Sequence, residues 1–249
     1  MKHRRRGWRA SPTVPSVSLT AMPAVERLLL AVVEAVPDWH PEHATFQPFP
    51  VYGWLIRHPD GPILVDSGVG IGNAFIDEMY RPRVTPIADA LRTIAIELTD
   101  VVGLVLSHLH FDHCGQQAAL DCSTYVQAAE HEAAQADGYT VPEWAAIPDD
   151  RLRLVDGDAQ IAEGVRLLAT PGHTPGHQSV LIEAGDRRVV LAAQCAFTAS
   201  ELRTGEPARS NLHDESWEAR ARASLQRVRA LAPVTCHLSH DPDATVITR

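Results

Sequence analysis

Apolar residues along the chain come in short runs separated by Gly, Pro and Asp, a pattern of alternating strands and helices. Residues 51–57 (VYGWLIR) and 62–66 (PILVD) flank Pro59-Asp60-Gly61 and predict a β-hairpin. Residues 101–107 (VVGLVLS) predict a buried strand. Further strands are expected at 123–127, 165–169, 178–183, 187–194 and 234–239, with 178–183 and 187–194 paired across Gly185-Asp186. Helices are predicted at 86–98, which opens on Pro86, at 128–136 and at 215–231. Residues 25–36 (VERLLLAVVEAV) fit a strand or a helix, since the run has no deciding period, and 38–50 read as a loop. The alternation makes the chain an α/β protein, a class that places its chemistry at strand ends.

Length and composition narrow the picture. The 249 residues suit one domain with a large core, taken here as residues 23–249. The Ser- and Pro-rich stretch 11–19 predicts a disordered extension over residues 1–22, with Met22 as an alternative start. The basic residues 2–6 are not followed by the apolar core and cleavage site of a secretory signal. A net charge of −9 argues against a nucleic-acid partner, and no apolar stretch is long enough to span a membrane. Four cysteines without a C-x-x-C pair read as reduced thiols in a cytoplasmic protein.

The densest chemistry is Ser107-His108-Leu109-His110-Phe111-Asp112-His113, directly after the strand at 101–107. His108 and His110 are two apart, so on extended backbone their rings share a side. Asp112 and His113 face the other way once the chain turns at Cys114-Gly115, and one loop can then feed two adjacent metal ions. Neutral imidazole and carboxylate are ligands that zinc prefers. In the loop Thr170-Pro171-Gly172-His173-Thr174-Pro175-Gly176-His177, Pro and Gly force His173 to the tip. His173 completes a three-histidine site with His108 and His110 and leaves a position for water, while His177 orients a ligand from behind. Asp66 is either a carboxylate that supports a ligand or the cap of an Asp-Ser-Gly turn. His237 and His240 are three apart, so only one of them can serve the site.

The H-x-H-x-D-H run at 108–113, Asp66-Ser67-Gly68, the Pro-Gly-His loop and Ser239-His240-Asp241 together resemble the metallo-β-lactamase superfamily over roughly residues 25–245. More narrowly, HLHFDHCG at 108–115 and TPGHTPGHQS at 170–179 are similar to the N-acyl homoserine lactonase branch. The resemblance implies an αββα sandwich with the metal site at one edge of the sheets. It implies a second site of Asp112, His113 and His240, and attack on an acyl carbon by a hydroxide that Asp112 orients. It also implies a metal-bridging Asp on a strand after the third histidine, followed three residues later by a Tyr near the substrate carbonyl. Gln194 and Phe197 occupy those two positions in this sequence. An amide oxygen is neutral and a poor bridge, so one tight Zn2+ and a second, weaker one are expected. Cys195 is an alternative thiolate ligand, although a one-residue step points it to the other face. Phe197 can pack against substrate but cannot donate a hydrogen bond.

The expected function is zinc-dependent hydrolysis of a small-molecule lactone or ester. Two other readings stay open: a thioesterase of the glyoxalase II kind, and a binding protein whose metal site has lost its catalytic parts.

Overall fold

The computed structural model describes residues 22–35 and 46–248. The expectation of a disordered extension therefore lies outside the described residues, apart from Met22.

The first half of the chain builds one sheet. Its strands are β1 (Ala24–Ala35), β2 (Gln47–Arg57), β3 (Ile63–Val65), β4 (Arg83–Val84), β5 (Gly103–Val105), β6 (Ser123–Gln127) and β7 (Leu152–Val155), in the order β4-β1-β2-β3-β5-β6-β7. Between them run the helices α1 (Ala74–Tyr80), α2 (Ile87–Arg92), α3 (Phe111–Cys114), α4 (Ala128–Ala133) and α5 (Pro142–Ala145). The second half builds the other sheet from β8 (Ala159–Ala162), β9 (Val165–Ala169), β10 (Gln178–Ala184), β11 (Arg187–Ala193), β12 (Val234–Leu238) and β13 (Thr245–Ile247), in the order β13-β12-β11-β10-β9-β8. Helices α6 (Ala199–Thr204) and α7 (Glu218–Arg229) lie between β11 and β12.

Period-two alternation sorts the side chains into layers. Trp54, Ile56, Ile63, Val65 and Val105 of the first sheet meet Val165, Leu167, Val180, Ile182 and Leu191 of the second in one buried cluster. Their neighbours Leu55, Leu64 and Leu104 point to the opposite face and pack against Ile87, Ala90 and Leu91 of α2. On the far side, Leu181, Val190 and Ala192 pack against Leu225 and Val228 of α7. Ala221, Ser224, Leu225 and Val228 form the buried stripe of α7, at the three-and-four spacing of one helical face. The result is the four-layered αββα sandwich that the sequence resemblance implied.

Several expected boundaries move. Over its described residues, 25–35, the ambiguous run is part of strand β1, paired with β2 with one register shift between Leu29 and Ala31. Of the expected loop 38–50, residues 38–45 lie outside the described residues, and residues 47–50, with Pro48 and Pro50, form the start of β2. Strand β3 covers only Trp54–Ile56 of β2, so the earlier part has an open flank where prolines are tolerated. The helix expected over 86–98 stops at Arg92, and Ala95 adopts φ 57°, which a helix cannot continue through. The helices expected at 128–136 and 215–231 are also shorter, at Ala128–Ala133 and Glu218–Arg229.

Candidate metal centre

The loops that carry the histidines meet at one edge of the two sheets. Parallel pairing of β3 with β5 sets Asp66 beside Ser107 just past the strand ends. Asp66, at φ 61°, accepts the Ser107 N–H on Oδ1 at 2.7 Å. Its Oδ2 accepts the Ser107 hydroxyl at 2.8 Å and His113 Nδ1–H at 2.8 Å. With its own proton committed to Asp66, Ser107 Oγ accepts from His108 Nδ1–H at 3.1 Å. Both rings are fully buried, with centroids 4.0 Å apart. The chain reverses earlier than expected, on α3 rather than at Cys114-Gly115, and this short helical turn carries Asp112 and His113 away from His110.

His173 comes to His110 across the sheets, with Nε2 3.1 Å from His110 Nδ1. His177 lies behind His108, ring centroids 5.5 Å apart, and donates Nδ1–H to the Thr170 carbonyl at 3.1 Å. At the end of β12, His240 donates Nδ1–H to the Pro50 carbonyl at 2.8 Å, and its Nε2 stands 3.5 Å from Asp112 Oδ2. The same carboxylate oxygen is 3.3 Å from His113 Nε2. His237 lies elsewhere, beside the positive charge of Arg27.

Two trios result: His108, His110 and His173, and Asp112, His113 and His240. Within each, one candidate ligand atom per residue lies within 4.8 Å of the others. His108 and His240 each tie the Nδ1 proton to the protein, which leaves Nε2 as a bare lone pair, while His113 gives its Nδ1 proton to Asp66 and turns Nε2 toward Asp112. Among the described residues, His108 Nε2, His113 Nε2 and His173 Nδ1 are buried without a hydrogen-bond partner. A buried lone pair left unmatched is costly, and a divalent cation would satisfy it. The donor set therefore fits a metal pair.

Electrostatics support the fit at every candidate ligand but His113. Burial, reinforced by neighbouring histidines, holds His108 and His173 well below the ordinary imidazole range. Burial also lowers His110 and His240, against opposing pulls from Glu130 and Asp112 respectively. Neutral imidazoles are what a metal requires. Burial would raise Asp112, but the adjacent His113 and His240 outweigh it and hold the carboxyl ionised. His113 goes the other way. Burial opposes its charge, but Asp112 and Asp66 lift it to about 10.

Past β11 the chain turns at Ala193, φ 48°, and Ala193 accepts the Ser239 N–H at 3.2 Å. Gln194 thus stands at the same edge as His240, buried, with Oε1 lacking a partner. Cys195 faces away into the apolar cluster of Leu202, Leu225 and Cys236, where burial pushes its thiol far up. Phe197 spans the two trios: its ring meets His173 edge-on at 5.8 Å and stacks on His240 at 5.6 Å. Its backbone N–H donates to Glu201 Oε2 at 2.9 Å, within the capping box that starts α6. Glu201 and the buried Glu130 were missed in the sequence. Thr198-x-x-Glu201 is a readable capping signature, whereas nothing local marks Glu130.

The family profile of the Metallo-beta-lactamase superfamily matches residues 46–240, and the chain belongs to that superfamily. An N-acyl homoserine lactonase of Bacillus sp is 36% identical over 172 residues, 64% of this chain and 68% of that one. N-acyl homoserine lactonase AttM of Rhizobium radiobacter is 26% identical over 238 residues, 78% of this chain and 83% of its own. Among solved structures, a variant of AiiA from B. thuringiensis with N-decanoyl-L-homoserine bound at the active site superposes with a TM-score of 0.76. It is 25% identical, over 89% of this chain and 94% of the other.

Proposed function

We propose that this chain is a zinc-dependent hydrolase that opens lactones, N-acyl homoserine lactones first among them. The observation that carries the reading is the convergence of unpartnered histidine nitrogens from loops of both sheets, at an edge where the superfamily match runs from residue 46 to 240. The similarity to N-acyl homoserine lactonases supports the choice of substrate.

His108, His110 and His173 would hold one ion, and Asp112, His113 and His240 the other. When bound, the metals would acidify water toward neutral pH and polarise the carbonyl. Asp112, ionised and reaching toward His113 and His240, orients the attacking water by accepting its hydrogen bond, and offers a route for the proton to the leaving oxygen. Asp66 and Ser107 fix the tautomers of His108 and His113 through the hydrogen-bonded chain described above. Phe197 covers the gap between the trios and excludes water without offering a donor to the substrate carbonyl. Gln194 brings one less negative charge than a carboxylate would, so the second ion is held less tightly than the first.

Metal analysis of the purified protein, with turnover of N-acyl homoserine lactones, aryl esters and thioesters, tests the reading. Stoichiometric zinc with lactone turnover is the expected result. Fast thioester turnover without lactone turnover transfers the site to thioesterase chemistry, and protein without metal or turnover overturns both.

A further inference from the structure

Glu130 is almost completely buried, 1% exposed, and touches neither trio by hydrogen bond. It lies in α4, yet its carboxylate reaches both ligand-bearing loops. Oε1 accepts the Leu109 N–H at 2.9 Å, from the residue between His108 and His110. Oε2 accepts the Thr174 hydroxyl at 2.6 Å and the Gly176 N–H at 3.0 Å, from the residues just after His173. The Tyr139 hydroxyl donates to Oε1 at 2.5 Å, and the Tyr139 ring lies 5.1 Å from that of His110. Each carboxylate oxygen thus takes one backbone N–H and one hydroxyl, the full complement two oxygens can accept in a buried site. The approach is close enough to exclude a side chain at Gly176: a Cβ there would overlap the backbone of Glu130.

The arrangement crosses the sandwich. Leu109 follows β5 of one sheet, and Thr174 and Gly176 precede β10 of the other. Of the two trios among the described residues, the one that also crosses this way through the same loops is His108, His110 and His173.

We infer that Glu130 is a positioning residue that sets the separation of the loops bearing His108, His110 and His173, and so tunes metal affinity at that trio and not at Asp112, His113 and His240. The inference rests on the metal-centre reading above. A carboxylate that only stabilised the fold would, when altered, lower stability and leave the relative affinity of the two sites alone.

The test compares wild type with Glu130→Gln, Thr174→Ala and Tyr139→Phe. The amide of Glu130→Gln confronts a backbone N–H with another donor. The other two variants each remove one hydroxyl and preserve the carboxylate, so they keep the question open should Glu130→Gln not fold. Zinc is titrated against a chelator, and Co2+ replaces zinc so that ligand geometry is read from the visible absorption. Expected are a loss of about tenfold or more in affinity for the tight ion in Glu130→Gln, smaller losses in the hydroxyl variants, and an altered Co2+ spectrum, with the weaker ion little changed. Equal affinities and unchanged spectra in soluble variants overturn the inference, as does a parallel loss at both sites. A wild type that binds neither metal overturns the metal-centre reading itself. Because these readouts need no substrate, a failure to find lactone turnover does not blur the result.

Discussion

At the scale of single residues, the site divides into parts that bind and parts that tune. His110 stands against His173 and within the first trio, so His110→Ala is expected to remove most bound metal and reduce turnover by at least about a hundredfold. Metal content and lactone turnover check this, and full activity in the variant would sink the mechanism. Gln194→Asp restores a carboxylate at the sheet edge shared with His240. The weaker ion should then resist chelation longer, while turnover moves little, because added negative charge also makes bound water less acidic. Phe197 is the most informative position. Its ring already lies between His173 and His240, and its backbone is pinned by Glu201. Phe197→Tyr therefore adds a hydroxyl without a new backbone geometry. A well-aimed donor to a developing oxyanion is worth about 2.7–4 kcal/mol, and an engineered one reaches a fraction of that. Lactone turnover is expected to rise several-fold, while no change alongside fast thioester turnover would favour the thioesterase alternative.

At the scale of elements, glycine placement decides how closely the loops approach. Gly115 donates its N–H to the Gly68 carbonyl at 2.8 Å, and a Cβ on it would overlap the backbone at Gly70. Gly176 meets Glu130 in the same way. Gly115→Ala or Gly176→Ala should each cost about 1–3 kcal/mol by overpacking, seen as a lower melting temperature, with Gly176→Ala also weakening metal binding. The sequence is readable where short apolar runs are bounded by turn residues, as in 51–57 and 178–183, and where two histidine-rich loops sit between such runs. It is unreadable where neighbours supply what the local run lacks. Strands β7, β8 and β13 are three or four residues long and are held by pairing rather than by their own pattern. Residues 93–98 have helical composition, but the helix ends before them. The long reach of Glu130 to three separate segments has no local signature, whereas the ligand cluster at 108–113 is contiguous in sequence and could be found there.

At the scale of the whole molecule, the candidate ligands come from both sheets, so metal binding and folding are linked. Removing the metal should lower the melting temperature, and free zinc at about a hundred times the dissociation constant should restore ~2.7 kcal/mol. Calorimetry with and without chelator measures this. The metal-free protein should also be acid-sensitive. Burial, aided by the charge of His113, lowers His177 from 6.5 to about 3. As pH falls below 6.5 the unfolded chain takes up a proton that the folded chain refuses until about 3, so stability present above 6.5 is lost progressively across that window. The melting temperature of metal-free protein should fall from pH 6.5 downwards, and His177→Gln should make the fall shallower. Among the described residues, no helix is long and apolar enough to cross a membrane.

Each sheet is drawn from one contiguous half of the chain, with residues 24–155 in the first and 159–247 in the second. The joint between them is short and internally anchored on either side. Gly157 exchanges two hydrogen bonds with the Gln127 side chain, while Asp158 accepts the Ala169 N–H and pairs with Arg227. A break after Gly157 would leave each set of contacts within its own fragment. Fragment complementation follows as a prediction: residues 1–157 and 158–249, made separately, are expected to recover turnover only on mixing. Zinc would report their reunion, since neither fragment carries His108, His110 and His173 together.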